Sequence, residues 1–156
     1  MKTYGAAVVV AAVVGTLAAG PAALAVPAAP KGMVGAVETY RSYNGHECLA
    51  SSGAGPLVAR CADGAVAQQW TPHAAGPHRT LVNVATGKCL VTESGRRVLL
   101  GDCELFGEAA AWQVLCPVQD GVQFKSAATG LCLDNYRGQL IMSPCAQDLF
   151  VYQTWR

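Results

Sequence analysis

Six cysteines and three tryptophans recur at one interval, and this constrains the fold of the chain more than any other feature. The cysteines fall as Cys48/Cys61, Cys89/Cys103 and Cys132/Cys145, separated by 13, 14 and 13 residues. The first members of successive pairs lie 41 and 43 residues apart and the second members 42 and 42; Trp70, Trp112 and Trp155 follow at steps of 42 and 43. Two unrelated residue types keeping one period mean three copies of a single unit of about 42 residues. Local sequence agrees: Ala85-Thr86-Gly87-Lys88-Cys89-Leu90 matches Ala128-Thr129-Gly130-Leu131-Cys132-Leu133. Asn44-Gly45-His46-Glu47-Cys48-Leu49 is the same turn one residue longer.

A Thr-Gly or Asn-Gly turn ahead of a strand is hairpin chemistry, because glycine accepts positive φ at no steric cost. Short β-prone runs such as Leu81–Val84, Val98–Leu100 and Leu140–Met142 are broken by Gly, Pro, Asn and Asp, and no stretch after residue 25 sustains a capped helical period. The chain reads as all-β. Propellers with blades of this length need at least four to close. Three four-stranded units close instead into a threefold barrel capped by hairpins, a β-trefoil, with each Trp filling the pseudo-threefold core. The repeat selects one of the fifteen possible connectivities, each pair stapling a hairpin within its own unit.

The N-terminus bears on compartment. Met1 and Lys2 precede an apolar run from Gly5 to Ala19, and Ala23-Leu24-Ala25 offers a small-residue cleavage site. This predicts a secretory signal peptide over residues 1–25, a short linker over 26–36 and one domain over 37–156. Removing Lys2 leaves ten Lys and Arg against ten Asp and Glu. A neutral, exported product has no electrostatic pull toward nucleic acid or anionic lipid, and no membrane association is expected after cleavage. Export also suits the cysteines, since disulfides persist in oxidising compartments.

Over residues 37 to 156 the sequence resembles the ricin B-type lectin family, which includes the family 13 carbohydrate-binding modules. That family's repeat carries Cys-Leu-Asp, a second Cys about 13 residues on, and then Gln-x-Trp. Here the units read Cys48-Leu49-Ala50 with Gln68-Gln69-Trp70, Cys89-Leu90-Val91 with Ala110-Ala111-Trp112, and Cys132-Leu133-Asp134 with Gln153-Thr154-Trp155. The resemblance implies a β-trefoil that binds sugar through three elements of each unit. These are the Asp after Cys-Leu, an aromatic residue two before the second Cys, and an Asn just before Gln-x-Trp.

By those criteria two units are inactive. The first has Ala50, Ala59 and Ala67 at these positions, the second Val91, Gly101 and Ala109. The third keeps Asp134, with Ser143 and Tyr152 at the other two. Its following residues Asn135, Tyr136 and Gln139 offer amides and a ring, so the expected carbohydrate site is Asp134, Asn135, Tyr136 and Gln139, with Tyr136 as stacking platform. The same composition also suits a plain polar turn.

Leu57, Leu99 and Ile141 stand where the family often has an exposed Gln. They make the strands Leu57-Val58, Val98–Leu100 and Leu140–Met142 apolar on both faces. Side chains of this kind left exposed in every unit would favour a protein partner; loops folded over them would not. Cys116, the odd cysteine, is either a buried thiol or half of an intermolecular disulfide.

No catalytic motif is present: no G-x-S-x-G, H-E-x-x-H, P-loop or G-x-G-x-x-G. His46, His73 and His78 are scattered without zinc spacing, and the repeat places no carboxylate pair. The expectation is a secreted, non-catalytic module without cofactor or metal. It would bind a glycan, galactose-like or polysaccharide, weakly through its third unit. The alternative is a degenerate trefoil acting as a partner-binding adaptor of a secreted assembly.

Overall fold

The structure, a computed structural model, describes residues 35–115, 121–146 and 152–156. The expected signal peptide, most of the linker and Cys116 lie outside the described residues. Ten strands follow in order: β1 (Glu47–Ser52), β2 (Gly55–Arg60), β3 (Trp70–Ala75), β4 (His78–Asn83), β5 (Cys89–Thr92), β6 (Val98–Gly101), β7 (Trp112–Leu115), β8 (Gln123–Ser126), β9 (Cys132–Tyr136) and β10 (Gln139–Ser143). All pairings are antiparallel. The pairs β1–β2, β5–β6 and β9–β10 are the three hairpins, each entered through a glycine at positive φ (Gly45 +78°, Gly87 +67°, Gly130 +69°).

Each unit is closed by the disulfide that the repeat assigns to it. Cys48–Cys61, Cys89–Cys103 and Cys132–Cys145 all have Cα atoms 5.0 Å apart. The staples do not lie within the hairpins, however, and this corrects the expectation for their second members. Cys48, Cys89 and Cys132 are fully buried in the first strand of each hairpin. Opposite them in register stand Ala59, Gly101 and Ser143. Cys61, Cys103 and Cys145 come two residues later, beyond the ends of β2, β6 and β10, and are only half-buried. Each bond therefore ties the loop leaving a hairpin back to that hairpin's first strand.

The remaining strands form a closed ring. β3 pairs with β4, β4 with β7 and β7 with β8. Single bridges complete the circuit: Glu38 to Trp70, Val122 to Trp155, and Trp155 to Ser42. Reciprocal backbone bonds between Arg41 and Arg156 (2.7 and 2.8 Å) seal the seam where the first and last segments meet. Six segments in a ring, capped by three hairpins, are the expected β-trefoil.

Every core layer contains one residue per unit. Trp70, Trp112 and Trp155 are fully buried, as are Leu49, Leu90 and Leu133; Tyr40, Leu81 and Phe124 occupy equivalent places eight residues before each first Cys. A buried indole needs a partner for its N–H. Each finds the carbonyl of its own unit's core leucine: Trp70 Nε1 to Leu49 O at 2.9 Å, Trp112 to Leu90 at 2.9 Å, Trp155 to Leu133 at 3.3 Å. The cysteine-leucine and tryptophan signals therefore describe one contact made three times.

A polar contact also recurs, this time between units. Ser51, Thr92 and Asn135 stand three residues after the first Cys of each unit. Ser51 Oγ donates to Asn83 Oδ1 (2.8 Å), Thr92 Oγ1 bonds Ser126 Oγ (3.0 Å), and Asn135 Nδ2 donates to Ser42 Oγ (3.1 Å). Asn83, Ser126 and Ser42 each lie six before a unit's first Cys, so first holds second, second holds third and third holds first. All six are buried. Groups buried this deeply cost about 1–3 kcal/mol each if left unpaired, which makes the three latches specific as well as stabilising.

Candidate functional site in the third unit

Strand alternation sorts β9 and β10 onto two faces. Leu133 and Asn135 point inward. Asp134 and Tyr136 point outward, beside their cross-strand partners Ile141 and Gln139. The turn between them, Arg137-Gly138, has positive φ at both residues (+53° and +81°), the geometry of a tight two-residue hairpin loop. It places Tyr136 and Gln139 at the outer lip, both exposed.

Asp134 is only 7% exposed. Its Oδ2 accepts from Gln153 Nε2 at 3.1 Å, whereas Oδ1 is buried with no partner among the described residues. Gln153, the glutamine of Gln-x-Trp, is fixed on both ends of its amide: Oε1 accepts from Ala146 N (2.9 Å) and Nε2 also donates to Pro144 O (3.0 Å). These two backbone groups flank Cys145, so the loop cysteine and the glutamine are held together.

Beside this carboxylate the sequence left Tyr152 as a lost Asn. The structure pairs it edge-on with Tyr136, ring centroids 5.9 Å apart at 71°, each ring more than two-fifths exposed. Arg137 lies over the Tyr136 ring, 5.3 Å from its centroid. Asp134 and Tyr136 thus share one face of β9, and the Tyr136 ring meets that of Tyr152 beside it.

Asn135 departs from the expected set. It is 1% exposed and faces inward. Its Nδ2 donates to Ser42 Oγ and, at 2.7 Å, to Glu47 Oε2; its Oδ1 accepts from Gly138 N at 3.1 Å. It is a positioning residue that fixes the turn carrying Tyr136, because alternation turns it away from Asp134. The recurrence of a hydrogen-bonding side chain three residues after each first Cys was the available signal.

The other two units are closed in different ways. In the first, Gln68 makes the same clamp around Cys61 that Gln153 makes around Cys145. It accepts from Ala62 N (3.0 Å) and donates to Arg60 O (2.8 Å), but it faces Ala50 in place of an acid. In the second, Ala110 replaces the glutamine and forms a small apolar cluster with Cys89 and Val91, against which Leu99 and Cys103 pack. The Phe106 ring covers Gly101 so tightly that a Cβ there would collide with it. Leu57, Leu99 and Ile141, for which the sequence left both exposure and cover by loops open, are half-buried, because β2, β6 and β10 lean on one another at the hairpin end and Leu99 joins that cluster. Among the described residues, no group of three His, Cys, Asp or Glu comes together.

A sequence profile described as a ricin-type β-trefoil lectin domain-like family matches residues 67–144. No curated protein sequence matches the chain. Among solved structures, the designed threefold-symmetric protein ThreeFoil superposes with a TM-score of 0.65 at 19% identity, over 77% of this chain and 95% of its own. A lectin from Polyporus squamosus, bound to a human-type influenza-binding epitope, gives 0.68 at 17% identity, over 79% of this chain and 48% of its own. A GlcNAcα1-4Gal-releasing endo-β-galactosidase from Clostridium perfringens gives 0.66 at 16% identity, over 76% of this chain and only 31% of its own. At these identities the likeness is one of fold.

Proposed function

The chain belongs to the ricin-type β-trefoil lectin domain-like family, and from that premise we propose that residues 37–156 are a secreted, non-catalytic carbohydrate-binding module with one working site, in the third unit. The observation that carries this reading is Asp134, held by Gln153 on the strand face that also carries the exposed Tyr136, whose ring meets that of Tyr152. Asp134 accepts hydrogen bonds from sugar hydroxyls while Gln153 holds its other oxygen in place. Tyr136 and Tyr152 supply the apolar surface for the ring, and Gln139 reaches the ligand from the lip. No bond is made or broken. The glycan held by the Polyporus lectin supports the ligand class. The Clostridium enzyme, of which this fold spans less than a third, is consistent with an accessory rather than a catalytic role. Three disulfides and the leader-like N-terminus support export.

One shallow site gives low affinity, so retention on a glycan surface needs several copies or a carrier. The test is a glycan array probed with the disulfide-bonded chain beside Asp134→Ala and Tyr152→Ala. Binding by the parent, lost in Asp134→Ala and weakened in Tyr152→Ala, is the expected pattern. Equal binding by parent and Asp134→Ala would place the site elsewhere.

A further inference from the structure

At the hairpin end of the barrel, where β2, β6 and β10 meet, lies a cleft of about 560 Å³. Its floor is aliphatic: Pro56, Val98, Leu99, Leu100, Leu140 and Ile141 line it. One wall is the first hairpin's tip, Ser52-Gly53-Ala54-Gly55, which carries nothing longer than a hydroxymethyl group and so leaves the cleft open on that side. Its rim is cationic, since Lys88, Arg96 and Arg97 also line it. No lining residue is acidic or aromatic.

The rim arises from an asymmetry in the repeat. The first and third hairpins turn through two residues, 53–54 and 137–138, whereas the second turns through five, 93–97. Between its paired ends the second hairpin is one residue longer than the others, and its turn, which carries Arg96 and Arg97, is tied to the third unit, since Met142 N donates to Arg96 O at 3.2 Å. Arg97 pairs with Glu93 at 3.3 Å; that is the only ion pair among the described residues, so Lys88 and Arg96 face the cleft with uncompensated charge. Both are exposed.

We propose that this cleft docks an extended, acidic segment of a partner protein in which carboxylates alternate with aliphatic side chains. Alternation puts one set of side chains on the apolar floor and the other against the cationic rim, and the excess of positive charge selects the sign. The absence of any aromatic lining favours a peptide over a sugar, which stacks on rings. The surface lies on the hairpin cap, and of the residues lining it only Ile141 adjoins Asp134, as its cross-strand neighbour.

The probe is a fluorescein-labelled hexapeptide of alternating glutamate and leucine, titrated by anisotropy. Glutamine-leucine and glutamate-serine hexapeptides serve as controls, and Arg96→Glu and Ala54→Trp as variants at exposed positions. The parent should bind the probe saturably. Binding should be about tenfold weaker for either control and either variant, and weaker again in about 0.5 M salt. Asp134→Ala should leave it unchanged, which separates this proposal from the glycan reading. Absence of saturable binding, equal affinity for the glutamate-serine peptide, indifference to both variants, or displacement by a sulfated oligosaccharide that binds more tightly would each overturn it.

Discussion

Asn135 donates a 2.7 Å hydrogen bond to Glu47 across 88 residues of sequence, joining the third unit's hairpin to the start of the first unit's. The same nitrogen reaches Ser42, so a single amide closes the ring of inter-unit latches and anchors the turn beneath Tyr136. Replacing Asn135 by Ala leaves Ser42 unpaired in a buried setting. The expected cost is about 1–3 kcal/mol in urea denaturation. Glycan binding per folded molecule should weaken only modestly, in contrast to its loss in Asp134→Ala; equal loss in both would return Asn135 to the set of ligand contacts.

The Glu47 carboxyl is held below the usual glutamate range, first by the bond from Asn135 and then by the one from Asn44. A lowered folded-state value means stability that is present above the unfolded value of about 4.3 and is lost as pH falls through the folded one. The melting temperature of the parent should therefore drop more steeply than that of Glu47→Gln between about pH 6 and about pH 3, with parallel curves above. Much of this carboxylate faces solvent, so the difference should be about 1 kcal/mol or less.

The first and second units should tolerate a restored acid to different degrees. In Ala50→Asp the new carboxylate faces Gln68, whose amide is already clamped as Gln153 is beside Asp134, and the cost should stay near about 1 kcal/mol. In Val91→Asp it enters the apolar cluster of Cys89 and Ala110 with no donor at the glutamine position, and the loss should be about 3–5 kcal/mol. Denaturation midpoints of the two variants check this directly.

Removing any one disulfide as a double Cys→Ser change should cost about 2–4 kcal/mol, and nearly the same in each unit, because the closed loops are 13, 14 and 13 residues. The glutamine clamps around Cys61 and Cys145 give the first and third loops a second hold that the loop of Cys103 lacks. A markedly smaller loss in those two units, measured by guanidinium denaturation, would show that the clamp outweighs the covalent bond.

What the sequence made legible was whatever repeats as the same residue type. Cysteines, tryptophans and turn glycines keep identity as well as period, so the barrel, the hairpins and the disulfide pairing could be read from them. Spacing alone did not show that Cys61 and Cys145 fall past the paired strands, because that depends on the cross-strand register. The latches keep period but not identity: Ser51, Thr92 and Asn135 share only the capacity to hydrogen-bond, so Asn135 looked like a ligand contact. Tyr152 was hidden for a different reason. Its importance depends on meeting Tyr136, 16 residues earlier on another segment, and no spacing rule brings those rings together. The cationic rim escaped because it gathers Lys88, at the base of the second hairpin, with Arg96 and Arg97, in its turn, and no spacing rule brings those side chains to one cleft.

The seam between Arg41 and Arg156 has a consequence for how the molecule comes apart. A stacked array of repeats has two terminal units and can peel from either. Here each unit is gripped by both others, so there is no outermost one from which fraying could start. Unfolding must break two seams before any unit is released, and slow hydrogen exchange should be shared evenly by the three buried indole N–H groups instead of decaying from one end of the chain.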